Sequence, residues 1–361
     1  MMNFRDQLQE NWALEFMDSN RRGILHLCPR AGKIRTSIRI FCKLQRELGR
    51  RPRILIAYPD KNIQKSWEDD FKIVGYSNPE VQYVTHVSLD KVYSKAYNQP
   101  FDLIVCDEIH LLSMRQKQNL SLLKSSHLLG LSGTLSEKTE MELRQQLGLS
   151  VISSYTLEEA IADGIISDYR ITVVKTELDD KTIVDQKKKR TEKAKYRAIS
   201  WVIENKGQSL FLSLSRMRII HNSLAKIEKT KQILSKLKDK RVLVFCANNK
   251  VAKALGCQVH TSKYNNQEQF DKFVAANSKN KHQAVCKIGN TGLSFKSLEY
   301  IVVNAFDSNS ENLTQRICRS LILDAPGKVS NIFIVSSTEK AELKWLDKSL
   351  EFFDQSKITY L

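Results

Sequence analysis

Eight short apolar runs, four in each half of the 361-residue chain, limit the architecture most strongly. The runs are RILIAYP, VQYVT, FDLIVCD and HLLGLSGT in the first half, and RVLVFCA, HQAVCKI, YIVVNAF and NIFIVSS in the second. Apolar residues in succession indicate parallel strands that helices cover on both faces. The sequence therefore predicts an α/β fold in which the strands form buried, largely parallel sheets.

Amphipathic segments lie between these runs and predict the covering helices. Examples are KNIQKSWEDDFKIVG, NSLAKIEKTKQILSKLKD and NNQEQFDKFVAANS. The order strand, helix, strand occurs in both halves, so we expect two doubly wound α/β domains in tandem. The segment YTLEEAIADGIISDY places their join within residues 150 to 170, and we predict domains at 1–165 and 166–361.

The chain is strongly basic, with 57 Lys and Arg residues against 40 Asp and Glu residues and a formal net charge of +17. Such an excess favours a polyanionic partner, because neutralising phosphates releases their counterions. A basic, well-solvated surface is the alternative explanation. The densest basic run, Gln186 to Arg197, predicts an exposed helix or loop that could contact a phosphate backbone without reading bases.

Neither a signal peptide nor a membrane span is predicted. The start of the chain lacks an apolar core, and no uninterrupted apolar run reaches the ~18 residues of a span. We therefore expect a cytoplasmic protein with no membrane partner. Seven cysteines stand singly within apolar runs without C-x-x-C spacing, which favours buried thiols over disulfides or a zinc site.

The stretch GILHLCPRAGKIRTSIRIF has the layout of a phosphate-binding loop. A strand-like run leads into a turn at Arg30, Ala31 and Gly32, and a helical segment follows from Lys33. Amides at a helix start point toward phosphates, and the lysine adds a positive charge. Ile34 stands where such loops carry a magnesium-binding hydroxyl, which makes the motif ambiguous by itself.

Two acids follow a predicted strand in FDLIVCDEIHLLS. A carboxylate at this position can hold magnesium, and its neighbour can activate a water molecule. Asp107 and Glu108 are the candidates, and His110 accompanies them. An acidic turn that caps the next helix would explain the same residues.

Three further segments carry candidate site residues with equally plausible structural roles. Ser132 and Thr134 end a strand in a turn of ordinary composition, Gly292 lies in NTGLSFKSLEYIVV, and ENLTQRICRSL carries three polar candidates. The last three are Gln315, Arg316 and Arg319. The two arginines, three residues apart on a predicted helix, could reach a nucleotide or simply contact solvent.

The order of the motifs along the chain resembles that of superfamily 2 helicases. The motifs are, in this order, the Gly-Lys loop, YPDKNIQKSWEDDF, THVSL, DEIH, SGT, VLVFCA, TGLSF and QRICR. That resemblance spans nearly the whole chain. It implies two RecA-like domains that bind ATP and magnesium and act on nucleic acid. Three of these segments look most like those of phage UvsW-type helicases and type III restriction motors: PRAGK, EEAIADGIISDYR and QRICR. This likeness implies a role in phage-type replication, recombination or repair. If the protein is viral, that role would be in the host cytoplasm.

The resemblance also assigns roles to individual residues. It makes Arg30 to Ile34 and Gly292 nucleotide-binding, Asp107 the magnesium-binding residue and Glu108 the activator of water. His110, Ser132 and Thr134 would couple hydrolysis to domain movement, while Gln315 and Arg319 would act from the second domain, Arg319 as an arginine finger. Either Gln7 or Gln9 would read adenine.

Nucleic acid would contact loops that follow strands, through backbone phosphates and sugars and without sequence specificity. The expected residues are Pro59, Lys61, Thr85, Asn248 and Thr291.

Ile34 and Ile322 depart from the family pattern, the second standing where a further arginine is expected. Three functions stay open: a DNA translocase or helicase, a weakly or non-hydrolysing nucleic-acid clamp, and an RNA-directed helicase.

Overall fold

The computed structural model describes residues 3–95, 100–207, 209–261, 267–286, 295, 297–307 and 310–361. Its chain divides into two compact units, Met1–Ile165 and Ile166–Leu361. All eight apolar runs form strands, and each unit contains one parallel sheet with helices. The predicted fold class of two α/β units is therefore confirmed. No helix in the described ranges has the length and apolar character of a membrane span.

The first unit is built on a six-stranded sheet. Its strands are β1 (Arg22–Leu27), β2 (Ile54–Tyr58), β3 (Val81–Thr85), β4 (Phe101–Cys106), β5 (Ser125–Ser132) and β6 (Val151–Tyr155). They run parallel in the order β3-β2-β4-β5-β1-β6. The carboxyl ends of β4, β5 and β1 consequently lie side by side.

The described residues of this unit include seven α-helices. They are α1 (Phe4–Asp18), α2 (Lys33–Leu48), α3 (Lys61–Val74), α4 (Leu89–Lys95), α5 (Met114–Ser121), α6 (Glu137–Leu147) and α7 (Leu157–Ala162). Helix α2 buries Ile38, Phe41 and Leu44 at helical spacing, so one of its faces packs into the core. Sequence signals for helix starts are present too, such as the capping box of Ser113 and Gln116 at α5.

The second unit contains a seven-stranded parallel sheet and a separate antiparallel hairpin. Its strands are β7 (Asp168–Thr176), β8 (Ile183–Asp185), β9 (Arg190–Thr191), β10 (Val242–Phe245), β11 (Gln258–His260), β12 (His282–Val285), β13 (Tyr300–Val303), β14 (Val329–Ser337) and β15 (Ile358–Tyr360). The sheet has the order β11-β12-β10-β13-β14-β7-β15, and β8 pairs with β9.

Its helices are α8 (Glu192–Lys206), α9 (Leu210–His221), α10 (Leu224–Lys236), α11 (Asn249–Ala254), α12 (Gln267–Val274), α13 (Ser310–Ile317) and α14 (Lys340–Leu350). A buried ion pair joins Lys226 of α10 to Glu342 of α14. Glu342 also accepts a hydrogen bond from the Ser337 amide at 2.7 Å, so both buried charges are compensated.

Candidate active site

Parallel packing brings distant sequence motifs to one edge of the first sheet. Strand β5 lies between β4 and β1, with Cys106 opposite Gly130 and His26 opposite Ser132. Since all three strands point the same way, the segments that follow them meet at their carboxyl ends. Ligands of open α/β sheets bind at this edge, which makes it the candidate active site.

The loop between β1 and α2 has the backbone that a phosphate cradle needs. Gly32 adopts a φ of +107°, and Arg30 also has a positive φ of 71°. An added Cβ at Gly32 would lie only 2.1 Å from Gln9 Nε2, so a larger residue would displace that side chain. Helix α2 then begins at Lys33 and directs its first amides toward the loop.

Helix α1 supports this loop from outside the sheet. The fully buried Gln9 donates from Nε2 to the Ala31 carbonyl at 3.1 Å, and Arg5 donates to the Arg30 carbonyl. Gln7, by contrast, is exposed. Of the two candidate glutamines, the one that contacts the phosphate loop is therefore Gln9, whose Oε1 is buried and makes no hydrogen bond within the described structure.

Lys33 extends from the start of α2 toward the end of β4. Its Nζ lies 3.7 Å from Glu108 Oε1. An added Cβ at Gly133 would lie 2.8 Å from the same nitrogen, so the glycine after β5 leaves space for the lysine side chain. Sequence reasoning did not assign Gly133 a role, because a glycine in a turn has many explanations.

Asp107 is buried at the end of β4 and is held by two hydrogen bonds. Trp67 of α3 donates from Nε1 to Oδ2 at 3.0 Å, and the Glu108 amide donates to Oδ1 at 3.0 Å. Burial and the neighbouring charge of Glu108 raise the pKa of Asp107 above its ordinary value. A cation beside it would counter both effects and favour the ionised form.

Glu108 occupies the left-handed region, with a φ of 48°. Burial raises the pKa of its carboxyl, but the charges of Lys33 and His110 lower it, so that the net shift of the Glu108 pKa is downward. The side chain is thereby kept as a carboxylate, the form that can accept a proton.

A chain of polar contacts joins Glu108 to the segment after β5. His110 Nδ1 lies 3.6 Å from Glu108 Oε2 and 2.7 Å from Ser132 Oγ, which in turn donates to the Thr134 carbonyl at 2.6 Å. Ser132 has one hydroxyl hydrogen, which it gives to Thr134, so it accepts from His110. This arrangement places the His110 ring proton on Nδ1.

The first turn of α2 supplies no replacement for the hydroxyl missing at Ile34. Thr36 and Ser37 are fully buried, and they donate to the Gly32 carbonyl at 3.2 Å and the Lys33 carbonyl at 3.0 Å. Within the described ranges, no group of three or more His, Cys, Asp or Glu side chains could hold a metal by itself. Magnesium would therefore depend on Asp107, water and phosphate oxygens, which is a common mode for this ion.

The two arginine candidates of the second unit, Arg316 and Arg319, are placed differently from the prediction. Helix α13 ends at Ile317, so Arg319 lies in the following turn and does not share a helical face with Arg316. Arg316 donates to the Ala305 carbonyl at 2.6 Å and lies over the Phe245 ring, which gives it a structural role within the unit. Gln315 and Arg319 are half-buried.

The predicted nucleic-acid residues lie at strand ends or helix starts as far as the structure describes them. Lys61 begins α3, Pro59 directly follows β2, and Thr85 ends β3 and donates to Ser88 Oγ. Asn248 caps α11 by accepting from two of its amides. Thr291 and Gly292 lie outside the described residues.

Trp67 is the clearest contact that sequence reasoning missed, because nothing in KNIQKSWEDDF indicates which distant residue the indole meets. We expect Trp67→Phe to lower the free energy of unfolding by about 1–3 kcal/mol, since the buried Asp107 loses a hydrogen bond. Urea unfolding of Trp67→Phe, Asp107→Asn and the double variant measures the interaction. A double variant whose loss equals the sum of the single losses would show that the hydrogen bond contributes nothing.

Comparison with known proteins finds distant relatives of the chain. No protein-family model matches the chain. A type I restriction enzyme EcoAI endonuclease subunit from Escherichia coli is 24% identical over 183 residues, which cover 45% of this chain and 22% of that protein. The DNA 3'-5' translocase XPB2 from Sulfurisphaera tokodaii is 25% identical over 261 residues, covering 64% of this chain and 58% of the translocase. The chain thus spans less than two thirds of either relative.

Solved structures match over nearly the whole chain. A fragment of a putative HsdR subunit of a type I restriction enzyme from Vibrio vulnificus has a TM-score of 0.66 at 16% identity and covers 99% of this chain and 67% of its own. Dbp5 from S. cerevisiae, bound to RNA and ADP BeF3, has a TM-score of 0.61 at 10% identity and covers 98% and 88%. The resemblance to superfamily 2 helicases is confirmed at the level of the fold, two RecA-like units in tandem. The narrower likeness to UvsW-type and type III proteins stays a prediction.

Proposed function

We propose that this protein is an ATP-hydrolysing motor that moves along or remodels DNA. The observation that carries the proposal is the meeting of Lys33, Asp107 and Glu108 at one sheet edge, from sequence segments about seventy residues apart. Phosphoryl transfer to water requires a cation that binds the phosphates, a carboxylate for the metal and a second carboxylate for the water. Lys33, Asp107 and Glu108 supply these three groups in that order.

Each side chain has a separate task in this mechanism. The amides after Gly32 and the Lys33 ammonium bind the phosphates, and Glu108 accepts a proton from the attacking water. Asp107, oriented by Trp67, would hold magnesium, and the ion would supply positive charge to the reaction. His110 and Ser132 connect Glu108 to the end of β5, a route by which hydrolysis could influence the neighbouring segment.

The residues around the loop fit a nucleotide. Gly32 leaves the cradle open, and the unpaired Gln9 Oε1 is a buried acceptor beside it, suited to a donor such as an adenine amino group. Arg319 remains the proposed finger of the second unit, with Gln315 four residues before it in sequence.

DNA is the proposed substrate for two reasons. The chain carries a net charge of +17, and the relative XPB2 is named a DNA translocase. Steady-state ATP hydrolysis, measured alone and with single-stranded DNA, duplex DNA or RNA, tests this function. We expect DNA to stimulate hydrolysis and the DNA affinity to fall steeply with salt. Stimulation by RNA alone would favour an RNA-directed helicase, and an absence of hydrolysis under all conditions would contradict the motor.

A second candidate, a clamp that binds nucleotide but hydrolyses it slowly, is favoured by Ile34 and by the internal hydrogen bonds of Thr36 and Ser37. We expect Ile34→Thr to supply the absent oxygen ligand and to reduce the magnesium concentration for half-maximal hydrolysis by roughly tenfold, the effect of one added ligand of about 1.4 kcal/mol. A magnesium titration at fixed ATP and saturating DNA measures this shift.

The exposed Ile73, which lies on α3, provides the control substitution Ile73→Thr. Superimposed titrations of Ile34→Thr and the unmodified protein would show that another group already completes the magnesium site. If Ile34→Thr restores hydrolysis to an inactive protein, the clamp is the correct description of the natural chain.

A further inference from the structure

Between β7 and α10 the second unit carries an extension that none of the site residues explains. It consists of the β-hairpin of β8 and β9, followed by the antiparallel helices α8 and α9. Residues 186–218, which contain both helices, form what we call the basic helical hairpin. Its base is anchored by a small core of Leu178, Tyr196, Ile219 and Ile220. Beyond that core, no described side chain from 197 to 218 is buried.

Large apolar side chains are exposed on this outer part. The exposed fractions are 56% for Trp201, 77% for Leu210 and 72% for Phe211. Residues of this size are seldom left in water in such a group unless a partner covers them. The end of α8 and the start of α9 therefore have the character of a contact surface.

The charge of the hairpin indicates which partner that is. Residues 186–218 include ten Lys and Arg residues and two Glu residues, a net charge of +8 out of the +17 of the whole chain. One of the acids, Glu192, is buried and accepts hydrogen bonds from Ser223 Oγ and the Leu224 amide. All charged side chains of the segment other than Glu192 and Glu204 are Lys or Arg, so its exposed charge is strongly positive and complements a polyanion.

Both helices pair an exposed arginine with an exposed aromatic residue. Arg197 and Trp201 are four residues apart on α8, and Phe211 and Arg218 are seven apart on α9, spacings that share one helix face. Trp201 lies about 14 Å along α8 from its start, and the exposed Lys187 to Lys189 turn lies before that start, at the opposite end of the helix from its last residues. Such a surface could hold phosphates at its base and bases near its turn.

We propose that the basic helical hairpin binds an unpaired DNA strand, with Trp201 and Phe211 stacking on bases and Arg197 and Arg218 contacting the flanking phosphates. Single-stranded rather than duplex DNA is the partner, because only unpaired bases offer open faces to an aromatic ring. This inference rests on the proposed function, and it adds a strand-holding element outside the loops at the strand ends.

Tryptophan fluorescence tests the contact without nucleotide. Trp12 and Trp67 are buried and Trp345 is half-buried, so Trp201 is the exposed fluorophore. We expect oligo-dT to quench the emission, and Trp201→Phe to remove most of the quenching while keeping the affinity within about threefold. Trp201→Ala and Phe211→Ala should each lower the affinity for oligo-dT roughly tenfold, the effect of one lost stacking contact, with duplex affinity nearly unchanged.

Charge variants and a control complete the design. Arg197→Gln and Arg218→Gln should each reduce the logarithmic salt dependence of single-strand binding by about 0.7, the value of one phosphate contact. Ile73→Ala, an exposed apolar truncation in the first unit, should change nothing. Basal ATP hydrolysis should be the same in all of these variants.

Several results would overturn the proposal. If the unmodified protein binds oligo-dT and Trp201→Ala binds it equally well, this inference is wrong while the proposed function stands. If the unmodified protein binds no DNA, both fail. If the alanine variants abolish self-association in sedimentation but keep their DNA affinity, the hairpin is a protein interface.

Discussion

Glu108→Gln is expected to reduce ATP turnover by at least about a hundredfold while nucleotide binding persists. Glutamine has nearly the same shape as glutamate but cannot take a proton from water, and general-base assistance contributes on this scale. Retained binding is expected because Lys33 and the loop amides contact the phosphates independently of Glu108. Turnover, together with nucleotide affinity from a fluorescent ATP analogue, separates the two effects.

Glu142→Gln is the matched control, because Glu142 also belongs to the first unit and forms an ion pair, with Lys117 at 2.7 Å. Both substitutions remove one negative charge from a Lys–Glu pair, but only one of them lies at the candidate active site. Turnover of Glu108→Gln within a few fold of Glu142→Gln would remove Glu108 from the mechanism.

Lys33→Ala is expected to lower turnover by a comparable or larger factor and, unlike Glu108→Gln, to weaken nucleotide binding as well. The ammonium contributes charge to the bound phosphates and to the transition state, and loss of one such interaction reduces rates by about a hundredfold or more. It also lies 3.7 Å from Glu108, so its removal raises the pKa of that carboxyl. The loss of charge beside the phosphates and the higher pKa of Glu108 both lower the rate of ATP hydrolysis.

Lys43→Ala serves as the comparison, since Lys43 lies on the same helix and pairs with Glu10 away from the loop. The variant that combines Lys33→Ala with Glu108→Gln tests whether the two residues act together. Groups that act as a unit give non-additive losses, so we expect the double variant to be little slower than the slower single variant. Losses that multiply would indicate two independent roles.

Much of the fold could be predicted because its signals are local. Buried parallel strands need several apolar residues in succession, and each run from RILIAYP to NIFIVSS forms a strand. The helix of KNIQKSWEDDFKIVG follows the same logic, and its observed range is Lys61–Val74. Of the candidate site, the acids after FDLIVC could be recognised because a strand end followed by two carboxylates is uncommon without a function.

The second unit shows where local reasoning fails. Arg316 and Arg319 look equivalent if one helix is assumed to contain both residues. Helix α13 ends between them, however, and Arg316 donates a hydrogen bond to the Ala305 carbonyl. A helix end depends on what the following residues contact, and a prediction of boundaries from one sequence rarely resolves it.

By itself, the sequence determined the strands that the eight apolar runs form, several of the covering helices and the residue types at the strand ends, since these follow from apolar spacing and backbone preference. Tertiary structure alone decided that β5 lies between β4 and β1, that Trp67 donates to Asp107, and that Gln9 rather than Gln7 contacts the phosphate loop. The physical reason is distance along the chain. Strand order and the partner of a buried polar group are chosen by the packing of whole elements, and a hydrogen bond between residues 40 apart leaves no periodic signal in the sequence.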